Sequence, residues 1–300
     1  MNTASEIIAF LAYRALARAL FFLPRALVLF LGEKLGLLAY RLDRRHRDIA
    51  LANLSIAFGK EKSPAERAAI ARASFANIGR VTLDIVKFTH YSRERIRGLV
   101  AVEGREHLEK ACAAGKGVLV FTAHFGNWEA SVVRLSEFGP FSAIARTLDN
   151  HFIDGDLRRL RTKMGAAVID KMGAGRPILQ ALARRGIVVL VIDQNVLRSQ
   201  AVFVDFFGKA AASTPSLAAF HLKTGAPLVP FFCVPRGRGY VLKIGLPFET
   251  RDAGRGEAAV LKTTQICTKM IEEEIRRTPG YWLWLHKRWN TRPADEIKDA

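Results

Sequence analysis

His124 and Glu129 are the residues whose types and spacing most directly suggest chemistry. They lie in Thr122-Ala-His-Phe-Gly-Asn-Trp-Glu129, a histidine followed after four residues by a carboxylate. A neutral imidazole can take a proton from a hydroxyl near pH 7. A carboxylate on the other ring nitrogen would fix the tautomer and stabilise the imidazolium as it forms. Gly126 permits a tight turn or a close backbone approach to a ligand. A helix starting after Asn127 would offer free N–H groups to a developing oxyanion. A histidine that only caps a turn has the same spacing, so the setting decides. Gly117-Val-Leu-Val-Phe121 is a short apolar run, read as a buried parallel strand. Residues 128–137 read as a helix with Asn127 as its N-cap. His124 then stands in a strand-to-helix turn at the carboxyl end of a strand, where open α/β sheets gather ligands and catalytic groups.

Two further strands are expected to bring groups to that edge. Residues 141–146 end on Arg146, whose fixed planar donors could hold a phosphate or a carbonyl oxygen. Gly186-Ile-Val-Val-Leu-Val-Ile-Asp193 is the strongest strand pattern and is expected to be central, buried on both faces. It delivers Asp193 and Gln194, with Arg198 in the loop beyond. Asp193 and Arg198 could pair with each other or orient Arg146; proton transfer is assigned to His124.

The remaining elements are read as scaffold. Ser63-Pro64-Ala65-Glu66 has the cap, the proline and the glutamate of a helix start, and that helix should run to about residue 88. Residues 103–114 and 150–164 read as helices; the second carries Arg158, Arg159, Arg161 and Lys163, a docking face for an anionic partner or a solvated face. Gly173-Ala-Gly-Arg-Pro177 lacks the spacing of a phosphate-binding loop and reads as a turn into a helix. Strands at 166–170, 227–234 and 240–244 and an amphipathic helix at 258–277 complete the pattern, and the tail 293–300 is expected to fray.

Composition narrows the partners. A net charge of +18 over 300 residues suits an anionic partner. The basic residues are dispersed rather than gathered with stacking aromatics on one element, which disfavours nucleic acid. Cys112, Cys233 and Cys267 are far apart and odd in number, which fits a reducing compartment and offers no metal-ligand spacing. Residues 7–42 are rich in Leu, Phe and Ala, but Arg14, Arg18, Arg25, Glu33 and Lys34 interrupt them before a spanning length is reached. On a helical wheel Arg14, Arg18 and Arg25 fall within about 40° of one another. The stretch reads as an interfacial anchor with arginines facing lipid headgroups; a helical hairpin packed on the domain and a tilted spanning helix with snorkelling arginines are the alternatives. Pro24 either breaks the register or opens a second helix.

His-Phe-Gly-Asn-Trp-Glu resembles the motif of the lipid A late acyltransferases, the lauroyl/myristoyl branch of the His-x4-Asp/Glu acyltransferase superfamily. The resemblance continues through Arg44-Arg45, Asn53-Leu54, Ala57-Phe58, Asp193, Arg198, residues 202–208 and 225–230, to the ending Pro-Gly-Tyr-Trp-Leu-Trp-Leu-His-Lys-Arg-Trp289. Its three tryptophans could line an acyl groove, dock on a membrane interface, or be buried against the core; His286 reads as packing.

The resemblance implies an α/β fold, glycerolipid-acyltransferase-like, with a mostly parallel central sheet flanked by helices. An N-terminal helical membrane-anchoring segment (1–42) would precede the acyltransferase domain (43–300). It implies a membrane-associated O-acyltransferase of lipid A biosynthesis that needs no cofactor and no metal. The donor would be an acyl carrier protein thioester. The acceptor would be an anionic glycolipid, a hydroxyl of a Kdo-modified, phosphorylated lipid A precursor. The setting would be inner-membrane lipids at the cytoplasmic face of a bacterial inner membrane. His124 and Glu129 are the expected catalytic residues; Arg146, Asp193, Arg198, Asn127 and Gly126 are expected to bind substrate. The oxyanion would meet backbone N–H groups near Gly126–Asn127, or Arg146. With no Ser or Cys in the motif, direct attack is expected rather than an acyl-enzyme. An acceptor that is another glycolipid, an aminolipid or a lysophospholipid is the alternative; from another class, a non-catalytic lipid-binding scaffold.

Overall fold

The computed structural model describes residues 3–250, 254 and 256–294. The expected frayed tail lies outside the described residues from 295 onward. Helices come first: α1 (Thr3–Phe22), α2 (Arg25–Leu42), α3 (Arg44–Phe58), α4 (Pro64–Phe88) and α5 (Arg93–Gly98). Pro24 stands just before α2 and separates it from α1. The α4 start forms the expected capping box, the Ser63 N–H donating to Glu66 Oε2 at 2.8 Å and the Glu66 N–H to Ser63 Oγ at 3.3 Å.

The first two helices are built onto α4. A Cβ on Gly79 would stand 2.0 Å from the Gly32 carbonyl oxygen, and one on Gly36 would stand 2.1 Å from that of Phe75. Only glycine lets these backbones touch. Lys87, buried on α4, donates from Nζ to the carbonyls of Leu20 (2.7 Å), Phe21 (3.2 Å) and Leu23 (2.6 Å), capping the end of α1 with a positive charge. Arg14 reaches Asp156 at 3.2 Å and Arg25 reaches Asp84 at 2.5 Å. Two of the three arginines expected to face lipid therefore bond inward, while Arg18 stays exposed. The outer face is apolar. Among the described residues, eleven of the seventeen exposed large hydrophobics, from Ile7 to Leu42, lie on α1 and α2. No described helix is long and apolar enough to cross a membrane.

An alternating region follows: β1 (Val100–Glu103), α6 (Arg105–Ala113), β2 (Val118–Thr122), α7 (Val132–Leu135), β3 (Phe141–Ala145), α8 (His151–Lys163), β4 (Ala166–Asp170), α9 (Gly175–Ala183) and β5 (Ile187–Val191). Then come β6 (Val202–Phe206), β7 (Lys209–Ser213), α10 (Ser216–Thr224), β8 (Leu228–Arg236), β9 (Gly239–Ile244) and α11 (Gly256–Arg277). The sheet runs β1-β9-β8-β2-β5-β3-β4, parallel at every pairing except β8 with β9, and β6 with β7 form a separate hairpin. The fold is thus α/β with a mostly parallel sheet, as expected. β5 is interior, beside β2.

Period-two alternation divides the core. Leu119, Phe121 and Ala123 pack on one face with the C-terminal aromatics, and Val118 and Val120 pack on the other with residues of α6 to α8. Two expectations shift locally, and one unassigned segment takes a defined form. Glu103 ends a strand rather than starting a helix. Residues 202–213 form a hairpin. The helix after Asn127 is only a 3-10 turn, Trp128–Ser131, followed by the short α7, which ends at Leu135.

Candidate active site

The register of β2 against β5 sets the site. Thr122 pairs with Val191, so the two strands end level and their next residues emerge side by side. Asp193 thereby meets His124. Its Oδ1 lies 2.8 Å from His124 Nδ1, and its Oδ2 accepts from the His124 backbone N–H at 2.9 Å. That same oxygen accepts from Trp282 Nε1 at 2.8 Å. The carboxylate is buried and its bonds lock the ring and its tautomer: Nδ1 carries the proton, and Nε2 is left to face outward. The side chain of Gln194 stands 3.5 Å from that Nε2.

The loop is fixed from behind by the chain's end. The Leu283 N–H donates to the His124 carbonyl at 3.1 Å, and the Gly126 N–H to the Tyr281 carbonyl at 3.0 Å. Gly126 has φ 58°, and a Cβ there would stand 2.0 Å from the Cys233 carbonyl oxygen, so the turn admits only glycine. The Asn127 N–H donates to that Cys233 oxygen at 2.8 Å, and the Asn127 side chain caps the 3-10 turn through Ala130 N–H at 3.1 Å. Trp282 and Trp284 are buried, with rings perpendicular at 4.6 Å, and Trp282 and Trp289 pack on Phe206. Asn53 on α3 donates to the carbonyls of Trp284 and His286, both at 2.7 Å. Sequence blocks far apart in the chain thus assemble into one buttress behind His124. Burial is therefore the reading that holds for the tryptophans. His286 accepts from the Asn195 N–H at 2.9 Å and its pKa is lowered by burial, consistent with packing.

Several expected roles are corrected. Glu129 does not hold the imidazole. The 3-10 turn carries it toward α8, where Arg161 grips it with two hydrogen bonds, one of 3.0 Å from Nε to Oε2. Asp193, expected to bind substrate, is the partner of His124 instead. The Gly126 and Asn127 N–H groups cannot serve an oxyanion, because both donate to backbone carbonyls. Arg146 is exposed and pairs with the equally exposed Asp149 at 2.8 Å. Arg198 lies in an exposed turn and bonds none of His124, Asp193 or Arg146 among the described residues. Nor is α8 a free basic face. Arg158 bonds Asp154 and Asp170, Arg159 bonds Asp156, and Lys163 donates to the carbonyls of Phe88 and Thr89. Sequence reasoning missed Arg161 and Trp282. Arg161 was hidden among neighbouring cations, and Trp282 in a run of aromatics.

Electrostatics follow from this geometry. Burial alone would lower the His124 pKa, but the adjacent Asp193 charge and hydrogen bond reverse that and hold it above the ordinary histidine value; Glu129 adds a smaller push in the same direction. Burial would raise the Asp193 pKa, and His124 with Trp282 brings it below the ordinary carboxylate range.

An apolar cavity of about 340 Å³ opens beside His124. Its walls are one face of α4, through Asn77, Ile78, Val81, Thr82, Ile85 and Val86, with Thr89 just beyond the helix, closed by Tyr13 of α1 and Ile153 and Leu157 of α8. Tyr281 and Leu283 also line it, while Trp282 between them turns inward to Asp193. From residue 78 to residue 88 the helix rises about 15 Å, a length suited to an extended hydrocarbon chain. Trp128, its ring 5.0 Å from the imidazole, lines the cavity as well.

A family model described as bacterial lipid A biosynthesis acyltransferase matches residues 2–291. A lipid A biosynthesis palmitoleoyltransferase of Escherichia coli is 28% identical over 277 residues, 91% of this chain and 88% of its own. The lipid A biosynthesis lauroyltransferase of the same organism is 29% identical over 279 residues, 90% of this chain and 88% of its own. A phosphatidylinositol mannoside acyltransferase of Mycolicibacterium smegmatis is 27% identical over 232 residues, 76% of this chain and 74% of its own. With its matched residues running from α1 to beyond the aromatic buttress, and a histidine–aspartate pair opening on an apolar groove, the chain belongs to the bacterial lipid A biosynthesis acyltransferase family.

Proposed function

We propose that the protein moves a fatty acyl chain from an acyl carrier protein thioester to a hydroxyl of a Kdo-modified, phosphorylated lipid A precursor, at the cytoplasmic face of the inner membrane. The observation that carries this reading is the His124–Asp193 pair with its imidazole lining an apolar cavity. In the reaction, His124 Nε2 takes the proton of the acceptor hydroxyl as its oxygen attacks the thioester carbonyl carbon. Asp193 stabilises the imidazolium. The Gln194 amide, beside Nε2, is the donor placed to meet the developing oxyanion. Collapse breaks the carbon–sulfur bond, and the imidazolium returns its proton to the leaving thiolate. The donor chain lies along α4 in the cavity.

Direct transfer is favoured. Cys233 is the nearest thiol along the paired backbone, and burial pushes its pKa far above the thiol range. The apolar outer face of α1 and α2 would lie in the membrane interface and present the groove to lipid. A different glycolipid acceptor is the second reading, motivated by the mycobacterial relative's name.

The test is a transfer assay in detergent with a panel of acyl carrier protein thioesters and the Kdo-modified precursor, products being weighed by mass spectrometry. One added acyl mass, absent with His124→Ala, is the expected result and reads out the chain length. Transfer to another glycolipid or a lysophospholipid alone would discard the acceptor. Ping-pong kinetics would discard direct attack.

A further inference from the structure

A second cavity, of about 660 Å³, lies between α2, α4 and the β8–β9 hairpin. Unlike the groove beside His124, its wall is charged. Arg25 and Tyr240 line it, and both are held from behind by the buried Asp84: Arg25 donates to Asp84 at 2.7 Å and 2.5 Å, and the Tyr240 hydroxyl donates to the same carboxylate at 2.5 Å. This buried set is internally satisfied. Two other guanidinium groups are not held so firmly. Arg80 pairs with Glu33, the one carboxylate lining the cavity, and both are partly exposed, so that pair is weak and readily exchanged. The Arg238 side chain, at the hairpin turn, makes no hydrogen bond or ion pair among the described residues; only its backbone carbonyl is engaged, by Arg25.

The cavity adjoins the catalytic groove across α4. Asn77 and Val81, one turn apart on α4, line both. Its rim also carries Leu29 and Phe30 of α2, beside the exposed apolar face. An amphiphile could enter from lipid with its polar end against the arginines. The size is that of a small-molecule site, and a planar guanidinium fork matches phosphate oxygens.

We propose that this cavity is the acceptor's headgroup site, with Arg238 and Arg80 as ligands for a phosphate on the sugar. The chain bearing the reactive hydroxyl crosses Asn77 and Val81 to His124. Phosphate displaces Glu33 from Arg80. The assignment rests on the acyl-transfer reading above, and it accounts for the division of the molecule into an apolar and a cationic compartment on one helix.

The test is binding rather than turnover. Full-length protein in zwitterionic nanodiscs is titrated with a bisphosphorylated, acylated glucosamine disaccharide and with its dephosphorylated counterpart; tryptophan fluorescence reads binding. Arg238→Ala should weaken binding of the phosphorylated lipid about tenfold and leave the dephosphorylated lipid unchanged. Arg80→Gln should show a loss in the same direction. Equal binding of the phosphorylated lipid by wild type, Arg238→Ala and Arg80→Gln would overturn the site. A tenfold loss that appears equally with discs carrying phosphatidylglycerol alone would overturn it as an acceptor site and assign it to a bilayer phospholipid. A phosphate-dependent Arg238 effect in a protein that transfers no acyl chain would keep the site and sink the transfer reading.

Discussion

Two buried acid–base pairs flank the same turn, and they differ in what lies beside them. His124–Asp193 opens on the apolar groove, with the imidazole side chain 20% exposed. Glu129–Arg161 is sealed, its side chains 7% and 13% exposed, and neither lines a described cavity. The first pair has a ring nitrogen that Asp193 does not engage, and a place for substrate. The second uses its charges on itself and ties the His124 turn to α8. Similar groups thus serve chemistry in one place and positioning in the other, and the difference is access.

Substitutions should separate the two pairs. His124→Ala removes the base and should lower kcat/KM by about 10³- to 10⁴-fold with the circular dichroism spectrum unchanged. Asp193→Asn keeps the shape but loses the charge and the preferred tautomer; single-turnover rates should fall by up to about 10⁴-fold. Glu129→Gln strands a buried guanidinium and should cost about 3–5 kcal/mol in a denaturant titration. Combining it with Arg161→Met should recover much of that stability, which no second substitution at the Asp193 pair would do for activity. Trp282→Phe deletes one hydrogen bond to Asp193, about 1.5–3 kcal/mol for a charged acceptor, and should lower activity and melting temperature together. Arg146→Ala, at an exposed ion pair, should change stability by less than about 0.5 kcal/mol and leave turnover near wild type.

The pairs also mark what a sequence can disclose. The strands 118–122 and 187–191, the capped start of α4, and His124 at a strand end were legible, because periodicity and caps are local. Glu129 was chosen as the histidine's partner because it is five residues away. The true neighbour, Asp193, is 69 residues away and arrives only through the β2–β5 register. Trp282 is 89 residues beyond Asp193 and was indistinguishable from packing. Arg146 was favoured because it follows a strand, whereas Arg161 sits one helix later and is identified only by its bond to Glu129. The N-terminal arginines were placed on one wheel face, but the wheel does not say whether that face meets water or Asp84 and Asp156.

The most direct test of which carboxylate serves His124 is the pH dependence of the single-turnover acyl-transfer rate in wild type, Asp193→Asn and Glu129→Gln. The base must be neutral to act, so the rate rises with pH through the His124 pKa. In wild type that limb should lie above the ordinary histidine value of 6.5. Asp193→Asn leaves burial without its compensating charge, so the limb should move to lower pH as the plateau falls; Glu129→Gln should shift it little. A limb unmoved by Asp193→Asn but displaced by Glu129→Gln would contradict the assignment and return Glu129 to the imidazole.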